Sequence, residues 1–154
     1  MERVVKKLID TKTTIATAES ITGGLIAKVI TDVPGSSLIL KESFVVYSNE
    51  AKVNILGVTA GLIEKYGVVS KEVAKDMCLK LKQLTGRDIC ISTTGNAGPT
   101  VCDDKPVGRV YVGINYLDEI EVYELNLSGE RLDIREKTLD FIFDVIDKLV
   151  KVRV

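Results

Sequence analysis

Ser20 sits where a buried run ends and a helical pattern begins, in a chain that contains no histidine. Thr13 to Ala18 reads as a strand, and Glu19-Ser20-Ile21-Thr22-Gly23-Gly24 follows as a turn, with Thr22 to Thr31 as the next helix. A serine between strand and helix is well placed to be an exposed nucleophile, and equally well placed to cap the helix. With no imidazole in the chain, a Ser-His-Asp triad is excluded within it. Lysine is then the leading replacement base. Lys52 stands in a second turn, Tyr47-Ser48-Asn49-Glu50-Ala51-Lys52, after a second strand. A lysine acts as base only where burial or cationic neighbours lower its pKa toward neutrality. Most lysines on short helices are simply solvated.

Other segments carry recognisable polar chemistry. Thr22, Gly23 and Gly24 let backbone N–H groups approach a ligand, and a helix N-terminus there offers unpaired donors to an oxyanion or a phosphate. The Gly-Lys-Ser/Thr ending of a Walker loop is missing. Ser92-Thr93-Thr94-Gly95-Asn96-Ala97-Gly98-Pro99 places hydroxyls and glycines after a third strand, suited to a polar ligand or to a long surface loop. Arg131 and Arg135 lie at (i, i+4) on the last helix, where they clamp a phosphate or pair with nearby acids.

The elements that must position these residues are read from periodicity. Val4, Val5, Leu8 and Ile9 mark an amphipathic first helix. Phe44 to Tyr47 is the second strand, and Glu50 to Leu56 and Thr59 to Tyr66 are short helices. Ser70 is an N-cap for Lys71 to Leu84, with Val73, Met77, Leu81 and Leu84 on one face and Gly86 as the stop. Asp88 to Thr93 is the third strand, Thr94 to Pro106 a loop, and Gly108 to Tyr116 and Glu119 to Leu127 a hairpin. A final helix runs from Glu130 to about Val150, with Leu132, Leu139, Ile142, Phe143, Ile146 and Leu149 mostly inward. Early strands separated by helices pair in parallel, and the hairpin adds an antiparallel part. The expected fold is therefore α/β, a mixed, mainly parallel sheet with helices on both faces, in one domain over 1–154. Ligands of such folds lie beyond the carboxyl ends of the strands. The turns at 19–24, 48–52 and 94–99 would meet there.

Composition narrows the function. The hydrophobic fraction is 45%, the charged fraction 28% and the formal net charge −1, with no tryptophan. No basic excess exists for general nucleic-acid binding, and no apolar run approaches the ~20 residues of a membrane helix. The charged N-terminus is no signal peptide, so a cytoplasmic location is expected. Cys78, Cys90 and Cys102 are odd in number and form no Cys-x-x-Cys pair, which argues against disulfides and zinc.

Taken together the segments resemble the CinA C-terminal domain family, the nicotinamide-nucleotide amidohydrolases. The resemblance rests on Thr17-Ala18-Glu19-Ser20-Ile21-Thr22-Gly23-Gly24, Val33-Pro34-Gly35-Ser36-Ser37, Tyr47-Ser48-Asn49-Glu50-Ala51-Lys52, Gly67-Val68-Val69-Ser70, Thr93-Thr94-Gly95-Asn96-Ala97-Gly98-Pro99, Lys105-Pro106-Val107-Gly108 and Gly129-Glu130-Arg131. It implies a three-layer α/β/α fold, in the family's stand-alone form. It also implies deamidation of nicotinamide mononucleotide to nicotinic acid mononucleotide and ammonia. Asn96 stands where the family usually has an aliphatic residue, and Thr100-Val101-Cys102-Asp103-Asp104 where it often has an acid and two glycines.

On this reading Ser20 is the nucleophile, Lys52 its base, and Tyr47 orients the lysine or touches substrate. Backbone donors near Thr22 and Gly23 hold the oxyanion, with Gly24 beside them. Thr94, Gly95 and Asn96 line the nucleotide pocket, and Arg131 and Arg135 bind its phosphate. No cofactor or metal is required. The partners expected are the small nucleotide substrate and further copies of the chain, as a homodimer or higher homo-oligomer. The rival expectations are a non-catalytic nucleotide-binding module and a serine–lysine amidase acting on another small amide.

Overall fold

The computed structural model describes residues 1–152. Its elements run α1 (Glu2–Thr11), β1 (Ile15–Glu19), α2 (Leu25–Thr31), β2 (Leu40–Val45), α3 (Asn49–Ala51), α4 (Ala60–Tyr66), α5 (Lys71–Thr85), β3 (Ile89–Gly95), β4 (Arg109–Tyr116), β5 (Glu119–Asn126) and α6 (Arg131–Leu149). A 3-10 turn spans Ser36–Leu38, and α3 continues into a π-helical turn over Lys52–Leu56.

The five strands form one sheet in the order β2-β1-β3-β4-β5. β1 pairs in parallel with β2 and with β3, while β4 pairs antiparallel with β3 and β5. Four strands thus point one way and β4 alone opposes them. The parallel strands are joined through helices, as parallel geometry requires. β4 and β5 are joined by Leu117 and Asp118, both at positive φ (49° and 69°), the backbone that a tight two-residue hairpin demands.

The period of two along each strand sorts the core into two halves. Ile15, Ile89, Ile91, Val110, Val112 and Ile114 join α1, α2 and α6 in one apolar cluster. Ala16, Ala18 and Cys90 face the other way, onto Val73, Met77, Cys78 and Leu81 of α5. Three layers, α/β/α, follow. Ser70 accepts the Val73 N–H and caps α5, and Gly86 ends it at φ 67°. Among the described residues no helix is long and apolar enough to cross a membrane.

Four local expectations need correction. β2 covers Leu40–Val45, earlier than Phe44 to Tyr47. Its residues alternate between half-buried and exposed, as an edge strand's can, so Lys41 and Glu42 belong to it. Glu42 reaches across to pair with Arg87. α2 starts at Leu25 because Gly23 and Gly24 both adopt positive φ, which is incompatible with right-handed helix. Leu84 and Leu132 are exposed, each lying on the solvent side of its helix.

The adjacent parallel strands β2, β1 and β3 end on the same edge of the sheet. The three polar turns therefore converge there, as their spacing predicted.

Candidate active site

Ser20 follows the last residue of β1 and is almost buried. Its N–H donates to Thr93 Oγ1 (3.2 Å), and Thr93 Oγ1 also meets Thr22 Oγ1 at 3.0 Å. The serine is therefore held from β3, its neighbour in the sheet. Thr93 lies in the hydroxyl-bearing segment that the sequence singled out, but its hold on Ser20 was not legible there, because it depends on β1 and β3 being neighbours.

Lys52 is only 1% exposed although it carries an ammonium group. α3 brings it inward: Ser48 Oγ accepts the Ala51 N–H and starts the helix directly after β2. Lys52 then opens the π-helical turn, an unusual winding that recurs at functional positions. Its Nζ donates to Ser20 Oγ at 2.9 Å and to the Val46 carbonyl at 3.1 Å. Burial lowers its pKa from 10.5 to about 8, against a smaller opposing pull from Cys102. Burial disfavours the charged form because it strips water from the ammonium.

The pair opens onto a cavity of about 230 Å³. Tyr47, Ser48 and Asn49 form one side, Thr94 to Ala97 with Thr100 and Cys102 another, and Val68, Val69, Ile21 and Arg131 complete it. Gly95 has no room for a side chain, because a Cβ there would stand 2.7 Å from the Arg109 carbonyl oxygen. Thr94 Oγ1 donates to the Val68 carbonyl and so fastens the floor of the cavity to the 67–70 turn.

Arg131 stands at the rim, half of its guanidinium already oriented. It donates to the Gly98 carbonyl (2.7 Å) and to the Tyr47 hydroxyl (2.9 Å). Tyr47 is 62% exposed and its hydroxyl is bonded to Arg131, so it does not orient Lys52. The lysine is held by the Val46 carbonyl instead.

Thr22, Gly23, Gly24 and Arg135 do not line the cavity. Arg135 donates to the carbonyls of Ile21 (3.2 Å) and Thr22 (3.1 Å), bracing the turn from behind. The first-turn amides of α2 are not open to a ligand either. The Ile26 and Ala27 N–H groups donate to the Glu19 carboxylate, and the Gly23 N–H to the Ser20 carbonyl. Among the described residues the Ile21 and Thr22 N–H groups have no acceptor.

Asn96 touches the cavity, but its amide serves the loop. Nδ2 donates to the carbonyls of Cys102 and Lys105, both at 3.1 Å, and Oδ1 accepts the Cys102 N–H at 2.9 Å. Beyond it, Asp103 accepts the Val69 N–H and Lys105 donates to the Val69 carbonyl. A polar side chain at 96 thus organises the 97–105 segment whose sequence is unusual. Cys102, set by these bonds, is exposed at the cavity, while Cys78 and Cys90 are free and buried.

Comparison with known proteins agrees with this architecture. Residues 1–150 match the CinA C-terminal domain, and the chain belongs to that family. It is 49% identical over 148 residues to a Thermoanaerobacter sp. (strain X514) protein named as competence-damage inducible, covering 95% of this chain and 36% of the relative. It is 44% identical over 140 residues to a CinA-like protein of Endomicrobium trichonymphae, covering 90% of this chain and 33% of the relative. The chain thus spans about a third of the length of these curated relatives. Among solved structures, a competence-damaged protein (CinA) superfamily protein from Klebsiella pneumoniae superposes with a TM-score of 0.92 at 28% identity, covering 97% of this chain and 94% of that one. The competence/damage inducible protein CihA from Agrobacterium tumefaciens gives 0.90 at 30% identity, covering 97% and 92%.

Proposed function

We propose that this domain is a serine–lysine amidohydrolase that hydrolyses the carboxamide of nicotinamide mononucleotide. One observation carries the reading: a lysine with a lowered pKa donates to a serine hydroxyl at 2.9 Å, at the wall of a cavity. Neutral Lys52 takes the Ser20 proton as Oγ bonds to the carboxamide carbon. The Ile21 N–H, free of an acceptor, directly after the nucleophile and on a residue that lines the cavity, receives the oxyanion. Lys52 returns the proton to the nitrogen, the C–N bond breaks and ammonia leaves. Water then attacks the acyl-serine, with Lys52 taking its proton, and the carboxylate is released as Ser20 recovers its hydrogen. Arg131 receives the phosphate at the rim, with Tyr47 holding the guanidinium.

The test is ammonia release from nicotinamide mononucleotide by the purified protein, beside Ser20→Ala. Release by the unmodified protein alone supports the reading. Nucleotide binding without release makes the domain a binding module, and preference for an unphosphorylated amide removes the phosphate contact.

A further inference from the structure

Glu19 precedes the nucleophile, is fully buried, and takes no part in the chemistry just described. A carboxyl group is costly to bury unless its oxygens are satisfied. Here both are: Oε1 accepts the Ile26 N–H at 2.9 Å, and Oε2 accepts the Ala27 N–H at 3.1 Å and the Thr17 hydroxyl at 3.2 Å. The need for this acceptor is local. α2 has seven residues and begins after Gly24, which has no side chain to cap it. Glu19, seven residues upstream of Ile26, supplies what the N-cap lacks.

The main chain of the same residue runs in the other direction. The Glu19 carbonyl accepts the Val46 N–H at 2.9 Å, and the Val46 carbonyl accepts from Lys52 Nζ at 3.1 Å. Lys52 Nζ in turn donates to Ser20 Oγ. A closed ring results: Glu19, Val46, Lys52, Ser20 and back through the Glu19–Ser20 peptide. The carboxylate anchors that ring to α2, while the ring sets where base and nucleophile stand.

We infer that Glu19 is the positioning residue of the serine–lysine pair, its buried carboxylate locking the strand-to-helix turn so that Ser20 meets Lys52. This rests on the amidohydrolase reading for its kinetic readout, but the reactivity of Ser20 can be followed without it. The ligand-binding elements, Arg131 on α6 and the 96–105 loop after β3, make no hydrogen bond with the Glu19 carboxylate. Loss of the carboxylate therefore separates chemistry from binding.

The variant is Glu19→Gln, which keeps the shape but turns an NH2 group toward backbone donors. Three quantities are compared with the unmodified protein: kcat and KM for ammonia release from nicotinamide mononucleotide, the labelling rate of Ser20 by a small alkyl fluorophosphonate, and Kd for nicotinic acid mononucleotide by calorimetry. In the labelling step Oγ bonds to phosphorus, fluoride leaves and Lys52 takes the proton. Labelling rate and kcat should fall together by about tenfold or more, with KM and Kd within about twofold. Labelling within about twofold of the unmodified rate overturns the proposal. So does a rise in Kd that parallels the loss of rate, which would mark a general structural role. If Glu19→Gln melts below the assay temperature, Glu19→Asp, one methylene shorter, is measured with the same expectations. Failure of both to fold assigns the residue to stability alone and overturns the inference. An unmodified protein that labels at Ser20 but releases no ammonia defeats the substrate reading, and labelling still decides the role of Glu19.

Discussion

Lys52 Nζ stands 2.9 Å from Ser20 Oγ in a position where the lysine is 1% exposed. The two residues are 32 positions apart in sequence and meet because β1 and β2 are parallel neighbours. A solvated lysine at that distance would remain charged and could only donate. Burial brings its neutral form within reach of ordinary pH.

The first expectation concerns the nucleophile. Ser20→Ala should lower kcat at least about 10³-fold while ligand binding persists, because in the proposed mechanism the hydroxyl forms the covalent intermediate and Arg131 is untouched. Calorimetry with nicotinic acid mononucleotide, beside an ammonia assay, checks both halves. Retained turnover removes Ser20 from the mechanism.

The second concerns pH. If neutral Lys52 is the base, kcat/KM rises with pH and levels off above about 8. A profile flat across that value contradicts the assignment. Stability carries the same signature. Between about 8 and 10.5 the unfolded chain holds a lysine proton that the folded chain has released, so this group's contribution to stability rises with pH. Below about 8 the cost of burying the ammonium is fully present. Lys52→Met should therefore abolish turnover and raise Tm at pH 7, by about 2–4 °C per kcal/mol relieved. Calorimetric melting at pH 7 and pH 10 tests this, with a smaller gain expected at the higher pH.

Arg131 makes the third. Arg131→Ala removes a charged donor from the rim without disturbing the Ser20–Lys52 pair, so KM should rise about 10- to 100-fold with kcat little changed. Tyr47→Phe, which only releases one guanidinium contact, should have a smaller effect on KM. An unchanged KM in Arg131→Ala excludes the phosphate role.

The fourth concerns the loop. Asn96→Leu removes three hydrogen bonds that the amide makes, two to the carbonyls of Cys102 and Lys105 and one from the Cys102 N–H, while the Cys102 carbonyl keeps the Lys105 N–H. Urea denaturation should show a loss of about 1–3 kcal/mol, from three part-buried hydrogen bonds at about 0.5–1.5 kcal/mol each. A variant as stable as the parent would mean the loop does not depend on that amide.

Cysteine chemistry supplies the fifth. Cys102 is exposed at the cavity, whereas burial pushes the Cys78 thiol up to about 12 and raises that of Cys90. Brief iodoacetamide treatment should alkylate Cys102 alone and block access to Ser20, and Cys102→Ser should resist inhibition. Peptide mapping by mass spectrometry identifies the modified residue. Alkylation without inhibition would place the thiol clear of the substrate path.

Much of this was legible in the residues. The absence of histidine, the Ser20 turn and Lys52 after a strand named the pair, and period-two and period-3.6 patterns placed the long helices and every strand but β2. β2 was expected too late in the chain, at Phe44 to Tyr47, because an edge strand's half-buried and exposed alternation over Leu40–Ser43 resembles a loop. Gly24 and Arg135 were assigned to ligand because glycine and arginine near a helix start suit an anion. The α2 amides of Ile26 and Ala27 are taken by Glu19, and Arg135 holds carbonyls of the turn.

The order of apolar and polar residues along the chain was sufficient to determine the three layers, since local periodicity dictates which face each element must bury. Which polar groups are already paired within the chain depends on side chains meeting across elements. Only the tertiary structure decided that Asn96 holds a loop, that Glu19 fills the start of α2, and that Lys52 is buried deeply enough for its ammonium to lose a proton near pH 8.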